Sequence, residues 1–328
     1  MHPAQTRHGG RHRSPVALLV LFVFVSTAMA DGTKCLFISS YHQGYAWSDG
    51  VERGLRNTLE GKCQIRQFDM DTKRKKSDQD KKAAARQAKA LIESWQPDVV
   101  ITADDNAAKY LIQPYYKGKD LPFVFCGINW TVKEYGFPYP NVTGMIEVAP
   151  VKAMLIEAKA LTPGATRVLY IGADTATEKK NAVRIRKAAK QQGLNFEQRF
   201  AGSLQSWVTA YQAGQSFDFI IMGSNAGIGD WDTTTAFEAI RPFTKRLTVT
   251  SHKWMMPVTM LGMTKVAEEQ GEWAGQVALQ ILDGAAPNTI PVIANRKWDL
   301  YLNPGLLEMA GLKLPDQLRS KGKVYRQQ

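Results

Sequence analysis

Short apolar runs alternate with longer amphipathic stretches along this chain, and the whole alternation occurs twice. Apolar runs without an in–out pattern read as strands buried on both faces. Strands separated by helical stretches read as parallel sheets. In the first half the strands are predicted at Cys35-Leu36-Phe37-Ile38-Ser39, near the more polar Gln64-Ile65-Arg66-Gln67-Phe68, and at Asp98-Val99-Val100-Ile101-Thr102 and Pro122-Phe123-Val124-Phe125-Cys126. Helices are predicted between them over residues 48–59 and 78–95, with a short one from Asn106. In the second half, strands are predicted over 167–171, near Phe196, and over 217–222 and 247–250. A helix opens after Pro150. Another opens at the capping-box spacing Thr175-Ala176-Thr177-Glu178 and stops at Gly193. A strand over 258–261, a long helix over 265–282 and a strand over 297–302 complete the chain. The fold class is α/β, with two doubly wound parallel-sheet lobes.

Composition agrees. The 328 residues are 44% hydrophobic and 22% charged, which excludes a disordered chain, a collagen-like fibre and a many-pass membrane protein. The net charge is +12, and three of the bases, Arg7, Arg11 and Arg13, lie in residues 1–30, which hold no acid. These precede the apolar run Val16-Ala17-Leu18-Leu19-Val20-Leu21-Phe22-Val23-Phe24-Val25 and the small-x-small pattern Ala28-Met29-Ala30. That is the layout of a secretory signal peptide, with cleavage expected after Ala30 and a periplasmic mature protein. The basic run Lys73-Arg74-Lys75-Lys76 holds no aromatic residue, so it reads as a solvated surface and not as a nucleic-acid face.

Ligands of open parallel sheets sit beyond the carboxyl ends of the strands. The polar and aromatic residues just past each strand are therefore the candidate contacts. In the first half these are Tyr41, His42, Tyr45, Trp47, Asp105, Asn129 and Trp130; in the second they are Asp174, Asn225 and Trp254. Of the two adjacent acids, one of Asp104 and Asp105 is expected to cap a helix, leaving the other free to face the cleft. Ser48 is expected to cap the helix after the first strand. Cys35 and Cys63 each open a strand, so a disulfide between them is geometrically open if those strands are neighbours. Cys126 ends an apolar strand and reads as a buried small hydrophobe.

Reaction chemistry is thin. Gly223-Ser224-Asn225-Ala226-Gly227 does not centre its serine as a nucleophile elbow does. Gly227-Ile228-Gly229 lacks the third glycine of a dinucleotide fingerprint, and there is no phosphate-cradling loop. Past the leader the histidines are only His42 and His252, with no paired-cysteine motif, so no metal site is expected. No cofactor and no enzymatic activity are expected.

The stretch Ser39-Ser40-Tyr41-His42-Gln43-Gly44-Tyr45-Ala46-Trp47-Ser48-Asp49-Gly50 resembles the opening of extracytoplasmic solute-binding proteins of the ABC-transporter substrate-binding family. Met70-Asp71-Thr72-Lys73-Arg74, Thr102-Ala103-Asp104-Asp105-Asn106-Ala107, Glu269-Gln270-Gly271-Glu272-Trp273-Ala274 and Ile281-Leu282-Asp283-Gly284 continue it in order. The resemblance implies a type I periplasmic-binding fold, with two lobes, three crossing segments and a ligand cleft between them. It places residues 31–145 plus 258–292 in the first lobe and 146–257 plus 293–328 in the second. The implied ligand is a small organic solute, amino-acid-like or aromatic, and the implied partner is the membrane permease of an ABC importer. Related openings occur in sensor domains, so a membrane histidine kinase or diguanylate cyclase is the alternative partner.

Overall fold

The computed structural model describes residues 1–2 and 32–326. The leader and its cleavage point after Ala30 lie outside the described residues. From residue 33 onward the strands are β1 (Lys34–Ser39), β2 (Gln64–Asp69), β3 (Val99–Ala103), β4 (Phe123–Asn129), β5 (Val142–Glu147), β6 (Arg167–Ala173), β7 (Asn195–Ala201), β8 (Phe219–Met222), β9 (Leu247–Thr250), β10 (Leu261–Lys265), β11 (Ile293–Ala294), β12 (Trp298–Leu302) and β13 (Lys323–Val324). They form two sheets, ordered β11-β5-β4-β3-β1-β2 and β13-β12-β10-β9-β8-β6-β7. The first is parallel throughout. In the second only the β10–β12 pairing is antiparallel.

Successive side chains of β1 serve opposite cores. Leu36 and Ile38 pack with Ala84, Ala88 and Ile92 of helix Asp78–Trp95. Cys35 and Phe37 pack with Val51 and Leu55 of helix Ala46–Leu59 and with Ala274 and Val277 of helix Ala267–Leu282. Strand β6 divides its side chains likewise between two cores of the second sheet. Burial on both faces is why these strands read as unbroken apolar runs.

Helices Ala46–Leu59 and Ala267–Leu282 touch through glycine. A Cβ built on Gly271 would lie 1.9 Å from the Val51 carbonyl oxygen, and one on Gly54 would lie 2.2 Å from that of Glu268. Both collisions are with backbone, which cannot swing aside. Gly271→Ala is therefore expected to lower stability by about 1–3 kcal/mol, read from the urea midpoint. An unchanged midpoint would mean that the two helices separate freely.

Strands β1 and β2 are parallel neighbours in the register Lys34↔Gln64. Cys35 and Cys63, at their starts, are joined by a disulfide with Cα atoms 6.0 Å apart. Cys126 is free and buried.

The chain crosses between sheets after β5, after β10 and after β11. These crossings correct the expected boundaries in three places. Residues 258–265 belong with the second sheet, because β10 pairs with β9 and β12. Residues 293–294 belong with the first, because β11 pairs with β5. Residues 146–147 likewise belong with the first sheet, because β5 pairs with β4 as far as Glu147, and the crossing follows them. The crossings are laced to one another. The Val148 N–H donates to Asn295 Oδ1 at 2.7 Å. The N–H groups of Arg296 and Lys297 each donate to the Glu269 carboxylate at 2.8 Å. The Lys265 ammonium pairs with the Glu147 carboxylate, joining the end of β10 to the end of β5.

Candidate functional site

Within each sheet the order 2-1-3-4-5 recurs, as β2-β1-β3-β4-β5 and as β7-β6-β8-β9-β10. Its switch points fall between β1 and β3 and between β6 and β8, where helices leave to opposite faces and a crevice opens. Residues from both switch points line one cleft of about 800 Å³: Tyr41, Tyr45 and Asp104 from the first, Thr175, Gly223 and Ser224 from the second.

Among the residues expected from sequence, Tyr41, Tyr45, Trp47, Asp105, Asn129, Trp130 and Trp254 line this cleft. His42, Asp174 and Asn225 do not. His42 Nδ1 instead lies 3.4 Å from an Asp71 carboxylate oxygen, with no hydrogen bond to it. Asp174 is half exposed and pairs with Lys179 at 2.6 Å. Asn225 gives its carbonyl to the Ile228 N–H at 3.0 Å in a turn, and its neighbours Ser224 and Ala226 face the cleft in its place.

Neither of the two adjacent acids takes the expected capping role. Asp105 is fully engaged: it accepts from the Tyr135 hydroxyl at 2.7 Å and from the Asn129 side chain at 2.7 Å. Asp104 is the one that is buried, 3% exposed, with Oδ2 lacking a hydrogen-bond partner. The helix Asp104–Ala107 takes Ala103 as its N-cap residue, and no acid caps it. Asp104 opens that helix at φ 69°, a left-handed conformation that non-glycine residues adopt mainly where surrounding structure imposes it. Burial pushes the Asp104 carboxyl up to about 8. Asp105 adds to the rise, while Lys73, the Trp47 N–H and Lys265 oppose it. Ser48 is also corrected: Tyr45 occupies the N-cap position of its helix, and Ser48 is buried with its hydroxyl unpartnered.

Several lining residues carry no obvious signal in the sequence. Lys73, read there as part of a solvated run, extends its ammonium to 4.3 Å from the Tyr41 ring centroid and 4.9 Å from that of Tyr45. Lys265 lies 5.2 Å from the Trp47 ring centroid. Arg184, from the second lobe, lies over Trp130 at 4.8 Å, a contact across the cleft. Burial draws the Arg184 guanidinium down, and Glu134 and Asp105 hold it up. Glu178 sits at capping-box spacing, and its N–H does bond to Thr175 Oγ1 at 3.2 Å. Its carboxylate turns inward, however, to accept from the Tyr170 hydroxyl and from the Ser224 N–H at 2.8 Å. It thus fixes the loop after β8. The capping-box spacing was the one available signal, and it pointed to the helix terminus and not to the cleft.

Among the described residues, no cluster of His, Cys, Asp or Glu could hold a metal ion. No helix among them is long and apolar enough to cross a membrane. The charged cleft residues are of both signs, and most already face a partner. The arrangement suits binding of a compact solute with both apolar and charged parts.

A comparison with curated protein sequences finds no significant match. Solved structures do match. A domain from Streptococcus pneumoniae in complex with L-Trp aligns with TM-score 0.62 at 17% identity, over 89% of this chain and 99% of that one. A ligand-free, open substrate-binding protein with adhesive properties from Clostridium difficile aligns with TM-score 0.73 at 13% identity, over 90% of this chain and 100% of that one. A repressor of the LacI family from Corynebacterium glutamicum aligns with TM-score 0.52 at 14% identity, over 82% and 97%. These likenesses establish the type I periplasmic-binding fold. The family model described as ABC transporter substrate binding protein matches residues 37–324, nearly the whole described chain. This chain therefore belongs to the ABC transporter substrate-binding protein family.

Proposed function

We propose that this protein is the periplasmic solute-binding subunit of an ABC importer, and that it takes a small organic solute of amino-acid-like or aromatic character into the cleft between its lobes. The observation that carries this reading is the convergence of both sheets' switch points on one cleft lined by Tyr41, Tyr45, Trp47 and Trp130. Aromatic walls supply contact area, and the few charged groups orient the bound molecule. The similar domain that holds L-Trp supports the amino-acid-like class. Ligand contacts made to both lobes at once would favour the closed state over the open one. A permease that reads the closed lobes would then accept the loaded form. No role in this reading requires catalysis.

The test is a thermal-shift screen of protein refolded to remove any co-purified molecule, run against amino acids, nucleosides, sugars and organic acids. A ligand at 100 times its Kd is expected to stabilise the fold by about 2.7 kcal/mol. The stabilisation should saturate and should shrink in Trp47→Ala. Saturable stabilisation that Trp47→Ala leaves intact would place binding elsewhere. The absence of any hit would remove the solute-binding reading.

A further inference from the structure

One wall of the cleft already holds a cation, and it is the protein's own. Asp71, at φ 56°, turns the loop after β2 back onto the end of β1. Its N–H bonds to the Tyr41 carbonyl at 3.0 Å, and the N–H and hydroxyl of buried Thr72 both bond to the Ser40 carbonyl, at 3.0 and 2.6 Å. Asn106 closes the lock by donating to Thr72 Oγ1 at 2.8 Å. The backbone before Lys73 is thereby fixed, and the lysine stem can reach only toward the cleft or toward water.

Lys73 reaches into the cleft. The Tyr41 and Tyr45 rings meet edge to face, with centroids 5.4 Å apart at 84°, and the Lys73 ammonium lies against both. Asp104 lines the same cleft, buried and with one carboxylate oxygen unpartnered, and once ionised it acts on Tyr41, Tyr45 and Lys73 alike. Two ring faces with negative quadrupoles and a dry carboxylate together make a site for a cation. The other nearby ammonium, Lys265, is already paired with Glu147.

We propose that the corner formed by Tyr41, Tyr45 and Asp104 receives the ammonium group of the transported solute, and that Lys73 is a resident stand-in which the solute displaces. The proposal rests on the cleft being the ligand site, and it narrows the ligand to amine-bearing solutes. Lys73 is the mobile member of the set. Its long stem lets the head swing to water at little cost, whereas Asp104 is held by burial and Tyr41 is half-buried. A stand-in of this kind lowers apparent affinity by the fraction of time it fills the corner.

The experiment is calorimetric titration of the purified, refolded protein with two probes that share a phenyl ring: phenethylamine, which carries an ammonium, and 3-phenylpropionate, which carries a carboxylate. Wild type is expected to bind phenethylamine more tightly than 3-phenylpropionate. Lys73→Met should tighten phenethylamine about tenfold if the lysine fills the corner about nine-tenths of the time. Asp104→Asn should weaken it by about a hundredfold, since it removes a desolvated counter-ion, with a cooperative melt confirming that the variant folds. Unchanged or weaker phenethylamine binding in Lys73→Met would overturn the stand-in. Tighter binding of 3-phenylpropionate, or no binding of phenethylamine by any form, would overturn the ammonium corner. In either case, a saturable solute of another class from the thermal-shift panel would leave the broader solute-binding reading standing, and a panel with no hit would remove both.

Discussion

Glu147→Ala is expected to cost the fold about 3–5 kcal/mol, the usual consequence of stranding one member of a buried ion pair. Glu147 and Lys265 have side chains only 7% and 17% exposed. They end β5 and β10, the strands that precede two of the three crossings, so their contact fastens the sheets together where the chain passes between them. Glu147 also accepts the Trp130 N–H through its carbonyl at 2.9 Å, which helps hold Trp130 at φ 63° on the cleft wall. Without the carboxylate, the Lys265 ammonium is left in a place where burial already draws its pKa down and only Asp104 holds it up. The double variant Glu147→Ala/Lys265→Met is expected to recover most of the loss, because it removes the stranded charge together with its partner. Urea denaturation of the two single variants and the double variant closes the cycle. A single-variant cost below about 1 kcal/mol would place the pair in the class of solvent-screened surface bridges. A double variant no better than the worse single would mean that packing, and not charge, is what the pair supplies.

The fold was legible where burial is two-sided. Strands such as Val99–Ala103 and Phe123–Asn129 are nearly all apolar because both faces are covered, and no register needs to be known to see them. β10 was not legible, since Leu261-Gly262-Met263-Thr264-Lys265 carries no apolar run. Its place in the second sheet is set by pairing with Val249 and Leu302, residues distant in sequence. The cleft shows the same division. Aromatic residues just past the strand ends could be read from the topological rule alone. The choice between Asp104 and Asp105 could not, because it depends on a left-handed backbone at Asp104 and on where Tyr135 and Asn129 send their hydrogen bonds. Lys73 was hidden for a similar reason. A basic run looks solvated until the loop before it is seen folded back onto Ser40 and Tyr41.

Asp104→Asn is expected to make the ligand-free protein more stable near pH 8, and the sign follows from linkage. The carboxyl is raised to about 8 in the folded chain, well above its ordinary value, with burial as the main cause and Asp105 as the second. Between about pH 4 and pH 8 the folded state keeps a proton that the unfolded state releases, so stability falls as pH rises across that window. If the whole shift is expressed, the loss is on the order of 5 kcal/mol. The groups facing Asp104 do not cancel it. Lys73 and Lys265 stay protonated in the unfolded chain throughout the window and, with Trp47, already moderate the shift; burial draws Lys265 down to about 8 in the folded chain, so its opposing contribution begins only at the upper edge of the window. Buried His252, with its pKa lowered by burial, opposes the trend only below its ordinary value. The difference between wild type and Asp104→Asn therefore isolates the carboxyl: the two should be close in stability near pH 5 and diverge as pH rises, with the variant ahead. Parallel stability curves from pH 5 to pH 8 would show that Asp104 ionises freely in the empty cleft. Divergence would mean that the empty protein holds a site costly to ionise, and a solute that brings a positive charge to it recovers that cost on binding.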